Sequence, residues 1–593
     1  MNQVLPNIKN DDSSQQNNTG NMYSYHDDNN INNPKEIEQG AIRRSLGEGN
    51  PNAEYPPQYY QHPYNVNNVN NVNNTNNNGV EIIQNNVYNN TSNNTFLNWI
   101  PFILLCLIEV IMVILIGCCF KWDIRNDPEY SIFDTDNFFN VPDENKTISY
   151  YIANGSEEEL NNYDALFRDM NIMLFVGFGM FHTLLKRYSW TSMTISMMAI
   201  ALSFQIGLFS NLLWANAFKE KWIKGLLNFR TFIKSIINCC SVLVSFGCVL
   251  GKLTNIQYLI MIILETIMCS LNFQLCDVKL KAIDVGGSLY IHTWGAIFGL
   301  SIYMVLFFSR KTKSKILEDN HNNKSNYFSN ITSFIGVIFL LSYFPSFNSG
   351  LVFSNNAKYR SSINTYFSLC GSIVGSFFTS ALFYKGRFVF EHILFGSFSG
   401  GVIISGCCSV CIFHWAALII GFLCGCISIV LLDKIKPYFI KWKYYDIYNI
   451  ICIHGVPGLL GAFITPMMIA DIKVRFGDDE KKKEEEKFYP YFMLDNYDRD
   501  PNVQAGIQIG AIFITLGLSF ISGISTGYLM KVSKCGIINN YFTDSEFFEE
   551  EANIIDNLEQ NQFYYGEFTR ASLFQNKIDF PPDRGSQPSY NQE

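Results

Sequence analysis

Ile291-His292-Thr293-Trp294-Gly295-Ala296-Ile297-Phe298-Gly299 and Ile453-His454-Gly455-Val456-Pro457-Gly458-Leu459-Leu460-Gly461 each set one ionisable side chain inside an otherwise apolar run. In a soluble core a lone histidine is ordinarily a satisfied packing residue. Within a membrane span an ionisable group is expensive and marks a functional position by default. A glycine follows each histidine seven residues later (Gly299, Gly461), which at about 100° per residue returns to nearly the same helix face. Small residues there let a second helix, or a narrow pore, approach the backbone closely. An acid precedes each histidine at equal spacing, Asp284 before His292 and Asp446 before His454. That interval rises about 12 Å along a helix, so each Asp is expected near a span's end, out of hydrogen-bonding reach of its own histidine.

Only 16% of the 593 residues are charged and 48% are hydrophobic, with 50 Phe, which is membrane composition diluted by polar ends. A helix needs about 20 largely apolar residues to cross a bilayer. The spacing predicts such spans over 97–120, 169–186, 191–217, 231–251, 256–276, 283–308, 327–350, 361–384, 390–409, 411–432, 448–470 and 503–530. The fold class is therefore an all-α polytopic membrane protein with about 12 transmembrane helices. The two His segments fall on the sixth and eleventh of these spans, and an odd offset inverts the second copy in the membrane. Inverted five-helix repeats around a central pore in each protomer, with the binding site near the midplane, are what this arrangement predicts.

Residues 1–96 are rich in Asn, including the tract Asn65 to Asn78, and show no sustained apolar period. They read as a disordered cytoplasmic segment that cannot bury enough apolar surface to offset its ordering entropy. Residues 97–531 form the transmembrane domain, and 532–593, with Phe547-Phe548-Glu549-Glu550-Glu551, an acidic cytoplasmic tail. Met1-Asn2-Gln3-Val4 opens neither a basic region nor an apolar one, so no cleavable signal peptide is expected and the first span serves as insertion signal. An even number of spans puts both termini on one side. Lys186, Arg187, Lys252, Arg310, Lys311, Lys385, Arg387, Lys434 and Lys436 all fall in connections that this arrangement makes cytoplasmic. The other side receives 121–168, with sequons at Asn145 and Asn154, and 471–502, whose Lys481-Lys482-Lys483 run weighs little in so long a loop.

The formal charge of −9 and the lack of a basic patch interleaved with aromatics argue against nucleic-acid binding. Most of the 16 Cys lie inside apolar runs such as Cys407-Cys408-Ser409-Val410-Cys411, without zinc spacing, so neither disulfides nor a metal nor any cofactor is expected. No P-loop or other enzyme motif accompanies the spans, which points away from an enzyme. Glu109 and Glu265 read as helix-contact acids, His182, His392 and His414 as structural, and the glycines of 396–401 and 421–425 as close-packed seams. Two facing neutral imidazoles could share one hydrogen bond and offer their remaining nitrogens to a small solute that both donates and accepts.

Several motifs in order along 97–531 together resemble the ammonium transporter/Rhesus glycoprotein family, and within it the Rhesus branch. They are Phe175-Val-Gly-Phe-Gly179 with Lys186-Arg-Tyr188, Val249-Leu-Gly-Lys252, Asp284-Val-Gly-Gly-Ser288, Pro345-Ser-Phe-Asn-Ser349, Ile363-Asn-Thr-Tyr366 and Ile453-His454-Gly-Val-Pro-Gly458. The Asn-rich segment lies outside the resemblance and looks like the insertions of malaria-type parasites. The resemblance implies a homotrimer in the plasma membrane, each protomer with its own ammonia-conducting pore. It assigns the pore histidines to His292 and His454, vestibule acids to Asp284 and Asp446, and an aromatic gate to Phe347. The family's other gating aromatic falls at Ile237, which dries a constriction but offers no π face to a cation. Other readings stay open: a pore for methylamine, carbon dioxide or water, or a non-conducting membrane scaffold or sensor.

Overall fold

The computed structural model describes residues 95–122, 157–219, 222–308, 321–352, 355–442, 444–476, 500–532, 538 and 541–548. All belong to one unit, Thr91–Glu593. The Asn-rich segment to residue 94, both sequons, the Lys481 run and most of the acidic tail lie outside these residues.

Every expected span corresponds to helix. Ten are long and apolar enough to cross a membrane among the described residues. In chain order the main helices are α1 (Thr95–Cys119), α2 (Glu157–Ile172), α3 (Ser189–Ala217), α4 (Phe229–Val249), α5 (Asn255–Phe273), α6 (Trp294–Tyr303), α7 (Tyr327–Ser349), α8 (Asn355–Phe383), α9 (Phe390–Gly396), α10 (Ser399–Ile404), α11 (His414–Val430), α12 (Val456–Phe476) and α13 (Pro501–Val532). The two remaining spans are irregular. The second is α2 continued by a wider turn and a tighter one as far as Leu184, and the ninth is the broken pair α9 and α10. Non-helical backbone at membrane depth is tolerated where protein buries it, and Gly396 to Ser399 at the break are all buried. The chain is thus an integral multi-pass membrane protein.

Side chains seal several helix starts whose amides lipid could not satisfy. Asn228 with Thr231 opens α4, Thr254 with Gln257 opens α5 and Asn326 with Ser329 opens α7, each pair bonding the other's backbone amide. Small residues then bring helices into contact. A Cβ on Gly421 would fall onto the carbonyl oxygen of Ser368, and one on Gly371 onto that of Leu418, so α8 and α11 meet backbone to backbone as the seam reading expects. Outward faces stay apolar: Val110, Val113 and Ile114 on α1 and Ile363, Val374 and Leu382 on α8 are exposed. A two-stranded parallel pair, β1 (Phe120–Trp122) with β2 (Gly225–Leu227), ties the connections at one end of the bundle.

At the other end, where Arg187 and Lys252 lie, the chain returns after α13 and docks. Phe542 is fully buried and its amide donates to Gly251 O at 3.1 Å. Asp544 donates its amide to Arg187 O at 2.7 Å and accepts from Thr191 N at 2.8 Å, capping the start of α3. The Phe547 ring meets Tyr188 edge-on at 5.9 Å.

Candidate functional site

Each histidine stands on the same local construction. After Asp284 the chain reaches Gly287 at φ +82°, and after Asp446 it reaches Asn449 at φ +54°, the same offset in both copies. Glycine takes this left-handed conformation freely, and asparagine is among the few others that tolerate it. A wide, π-helical turn follows in each case, Ser288–Thr293 carrying His292 and Ile451–Gly455 carrying His454. The preceding acid caps the turn: Asp284 Oδ2 accepts from Leu289 N at 2.8 Å and Tyr290 N at 2.7 Å, and Asp446 Oδ2 accepts from Ile451 N at 3.0 Å. π-turns cluster at functional sites because they re-aim side chains that regular helix would place elsewhere.

The motif glycines bring the two turns together. A Cβ on Gly458 would stand 2.7 Å from Ser288 O, and one on Gly295 would stand 2.6 Å from Ser241 O. Larger residues would push α12 off the His292 turn and α6 off α4. With glycine there, the two imidazoles lie nearly parallel, 16° apart with centroids at 5.0 Å, and their Nδ1 atoms are 3.0 Å from each other. One Nδ1 must carry the hydrogen and the other accept it. Both Nε2 atoms are buried and unpartnered among the described residues. A pair wired this way keeps one nitrogen of each ring free for a solute.

Aromatic rings close the pair on two sides. Phe344 lies 6.1 Å from His292, and Phe347 stands edge-on to Phe344 at 6.2 Å. Phe347 therefore reaches His292 through Phe344, a ring missed in the sequence although Phe344-Pro345-Ser346-Phe347 places it one helical turn away. Phe398, at the break between α9 and α10, packs 5.6 Å from His454. Ile237 is buried on α4, one turn before Ser241, whose hydroxyl lies 3.2 Å from Tyr290 O beside the His292 turn.

A cavity of about 190 Å³ opens near His454 at the end of the bundle bearing Lys252, lined by Leu184, Leu185, Tyr445, Asp446, Asn449 and Cys452 among others. Lys252 braces its wall, donating to Cys248 O and Tyr445 O, both at 2.8 Å, beneath the Tyr303 ring at 4.8 Å. Burial pulls the Lys252 ammonium down to about 8, with Asp446 resisting, and pushes the Asp446 carboxyl up against its amide hydrogen bonds.

Glu265, Glu109, His392 and His414 stand apart from the pair. Glu265 takes the Ser245 hydroxyl across α4 and α5, and Glu109 accepts from Gln205 on the outer face, helix contacts in both cases. His392 meets Ser380 at 3.2 Å, and His414 packs on Phe367. Among the described residues no cluster of His, Cys, Asp and Glu could hold a metal ion.

A bundle of membrane-spanning helices that buries two facing imidazoles on matched, oppositely oriented turns has the build of polytopic transport proteins made from inverted repeats. The Ammonium Transporter Family model matches residues 148–536, and the chain belongs to that family. It is 32% identical over 474 residues to ammonium transporter Rh type B of Danio rerio, covering 77% of this chain and 95% of the relative. Ammonium transporter Rh type C of Homo sapiens is 30% identical over 460 residues, covering 77% of this chain and 91% of its own. Among solved structures, Rh50 of Nitrosomonas europaea, described as one of the Rhesus family of channels, matches with a TM-score of 0.56 at 26% identity, over 70% of this chain and 99% of that one.

Proposed function

We propose that the protein conducts ammonia across a membrane: ammonium loses its proton at the mouth, and the neutral molecule passes Phe347, His292 and His454 to be reprotonated beyond. The observation that carries this reading is the shared Nδ1 hydrogen bond with both Nε2 atoms left free. An ammonium ion is solvated far more strongly than an apolar constriction can replace, so shedding the proton first is the lower path. Neutral imidazoles can then donate to and accept from ammonia in single file. Flux is electroneutral on this reading, since the imidazoles hold the solute and no proton is relayed through them. The excess of Lys and Arg at the Lys252 end favours a cytoplasmic placement of that end and of both termini, in the plasma membrane. The exposed apolar faces and the family resemblance favour a homotrimer with one pore per protomer, and Asp284 and Asp446 serve as the acids of the two vestibules. The chain carries no enzymatic role on this reading.

Vesicles holding the purified protein, loaded with a pH dye and challenged with an ammonium gradient at clamped voltage, test it. Alkalinisation well above protein-free vesicles without current is expected, and current proportional to ammonium would replace electroneutral flux with ion transport. Uptake of methylamine, carbon dioxide or water in preference to ammonia would favour a different solute.

Two substitutions probe the mouth. Phe347→Ala removes the outer ring of the stack over His292 and is expected to raise water or ion leak severalfold. Wild-type water and ion permeability in that variant would show that Phe347 is no gate. At Ile237, an aromatic would add a cation face worth about 0.5 to 2 kcal/mol, or a few-fold to about thirtyfold in affinity. Native flux is therefore expected to rise nearly linearly with ammonia over the millimolar range and to follow the unprotonated fraction as pH rises. Ile237→Phe is expected to saturate at lower concentration. Tight micromolar saturation in the native protein, independent of the ammonia fraction, would instead locate a cation site elsewhere.

A further inference from the structure

His182 opens the last, tighter turn of the irregular second span and is 1% exposed. Its Nδ1 lies 3.0 Å from Ser196 Oγ. The single hydroxyl hydrogen of Ser196 is already directed to Ser192 O at 2.7 Å, so Ser196 must accept and the His182 Nδ1 must carry the proton. Nε2 is then the lone-pair nitrogen, and the Ser196 contact engages the ring through Nδ1 alone. Buried polar atoms in membrane interiors are normally satisfied, which makes a bare acceptor there a candidate for something that comes and goes.

Four rings from three parts of the chain enclose this imidazole: Phe178 at 5.9 Å, Phe181 at 5.7 Å, Phe246 at 6.2 Å and Tyr448 edge-on at 5.5 Å. Tyr448 is the titratable side chain among them, and its hydroxyl donates to the backbone carbonyl of His182 itself, so it is not available to Nε2. The same cage touches the pore. Phe181 meets Phe398 edge-on at 5.4 Å and Phe398 packs on His454 at 5.6 Å. Just beyond His182 in the chain, Leu184 and Leu185 line the 190 Å³ cavity together with Cys452 of the His454 turn.

We propose that His182 is a third imidazole of the conduction path, standing between the His292–His454 pair and this cavity, with its Nε2 lone pair accepting a hydrogen bond from the solute that leaves His454. This rests on the ammonia reading above. A neutral donor leaving His454 gives up that hydrogen bond until it meets water, and an acceptor on the way shortens the unsatisfied step. The Ser196 bond serves the same end by fixing the tautomer.

Asn and Gln separate this role from a merely structural one, because the Asn amide falls where Nδ1 stood and the Gln amide where Nε2 stood. His182→Asn keeps the Ser196 contact and loses the acceptor. It is expected to keep wild-type thermal stability while ammonia flux in vesicles falls by about three- to tenfold, the loss of one hydrogen bond at a barrier. His182→Gln keeps the acceptor and loses the Ser196 contact, and is expected to hold flux within about twofold of wild type at somewhat lower stability. Wild-type flux in the Asn variant, or equal loss of flux in both, would overturn the proposal. Wild-type flux over protein-free vesicles reads the ammonia assignment by itself, so failure of one is not mistaken for failure of the other.

Discussion

His292→Ala and His454→Ala are each expected to cut selective ammonia flux at least tenfold, or to make the pore leak unselectively, while the protein still assembles. Each substitution does two things at once. It removes one of the two free Nε2 atoms from the lumen, and it strands the partner's Nδ1, which has no other hydrogen bond among the described residues. A buried polar group left unpaired costs about 1–3 kcal/mol, and the same order lost at the barrier is roughly five- to a hundred-and-sixtyfold in rate. Assembly is spared because both rings lie in the interior, each 2% exposed, away from the lipid-facing surface. Flux assays and size-exclusion profiles on both variants decide the matter. Native flux and selectivity in both would end the twin-histidine reading.

Asp284→Ala carries the largest expected cost in stability. Its carboxylate accepts the amides of Leu289 and Tyr290 at the start of the turn that aims His292, in a site 5% exposed. Alanine strands both donors at about 1–3 kcal/mol each, so a loss of about 2–6 kcal/mol and a marked fall in the thermal midpoint are expected. Asp284→Asn keeps one accepting oxygen without the charge and should fall between. The second copy supplies an internal standard: Asp446 holds Ile451 N at the longer distance of 3.0 Å, so Asp446→Ala should cost less. Thermal unfolding of the three variants in detergent gives the order. An inverted order, or no loss in Asp284→Ala, would show that the acids do not cap their turns.

Much of this architecture was legible in the residues. Long apolar runs locate spans because the bilayer sets their length, and twin histidines stand out because lipid penalises them. The repeat was visible as matched spacing, although what the spacing builds was not: Asn449 standing where Gly287 stands, and a π-helical turn after each, depend on backbone angles that no periodicity encodes. Long-range contacts hid the rest. Phe398 reaches His454 only because the ninth span breaks between Gly396 and Ser399, and Phe344 is indistinguishable in sequence from other phenylalanines facing lipid. His182 lacked the Asp and Gly frame that singled out the other two histidines, and its neighbourhood depends on the long-range contact of Phe181 with Phe398.

The docking of Tyr541–Phe548 also fixes an order in time. Asp544 closes the start of α3 from 353 positions further along the chain, and Phe542 seats on Gly251 at the α4–α5 connection. Spans enter the membrane as they are made, so these two loops wait, uncovered, through the synthesis of everything that follows. Tyr188 lacks its Phe547 neighbour and the Thr191 amide its cap until α13 has been inserted and the chain beyond it has emerged. The bundle is consequently fastened last at its earliest-built corner. A ribosome that stops short of Phe542 releases a chain with every span in place and that corner open.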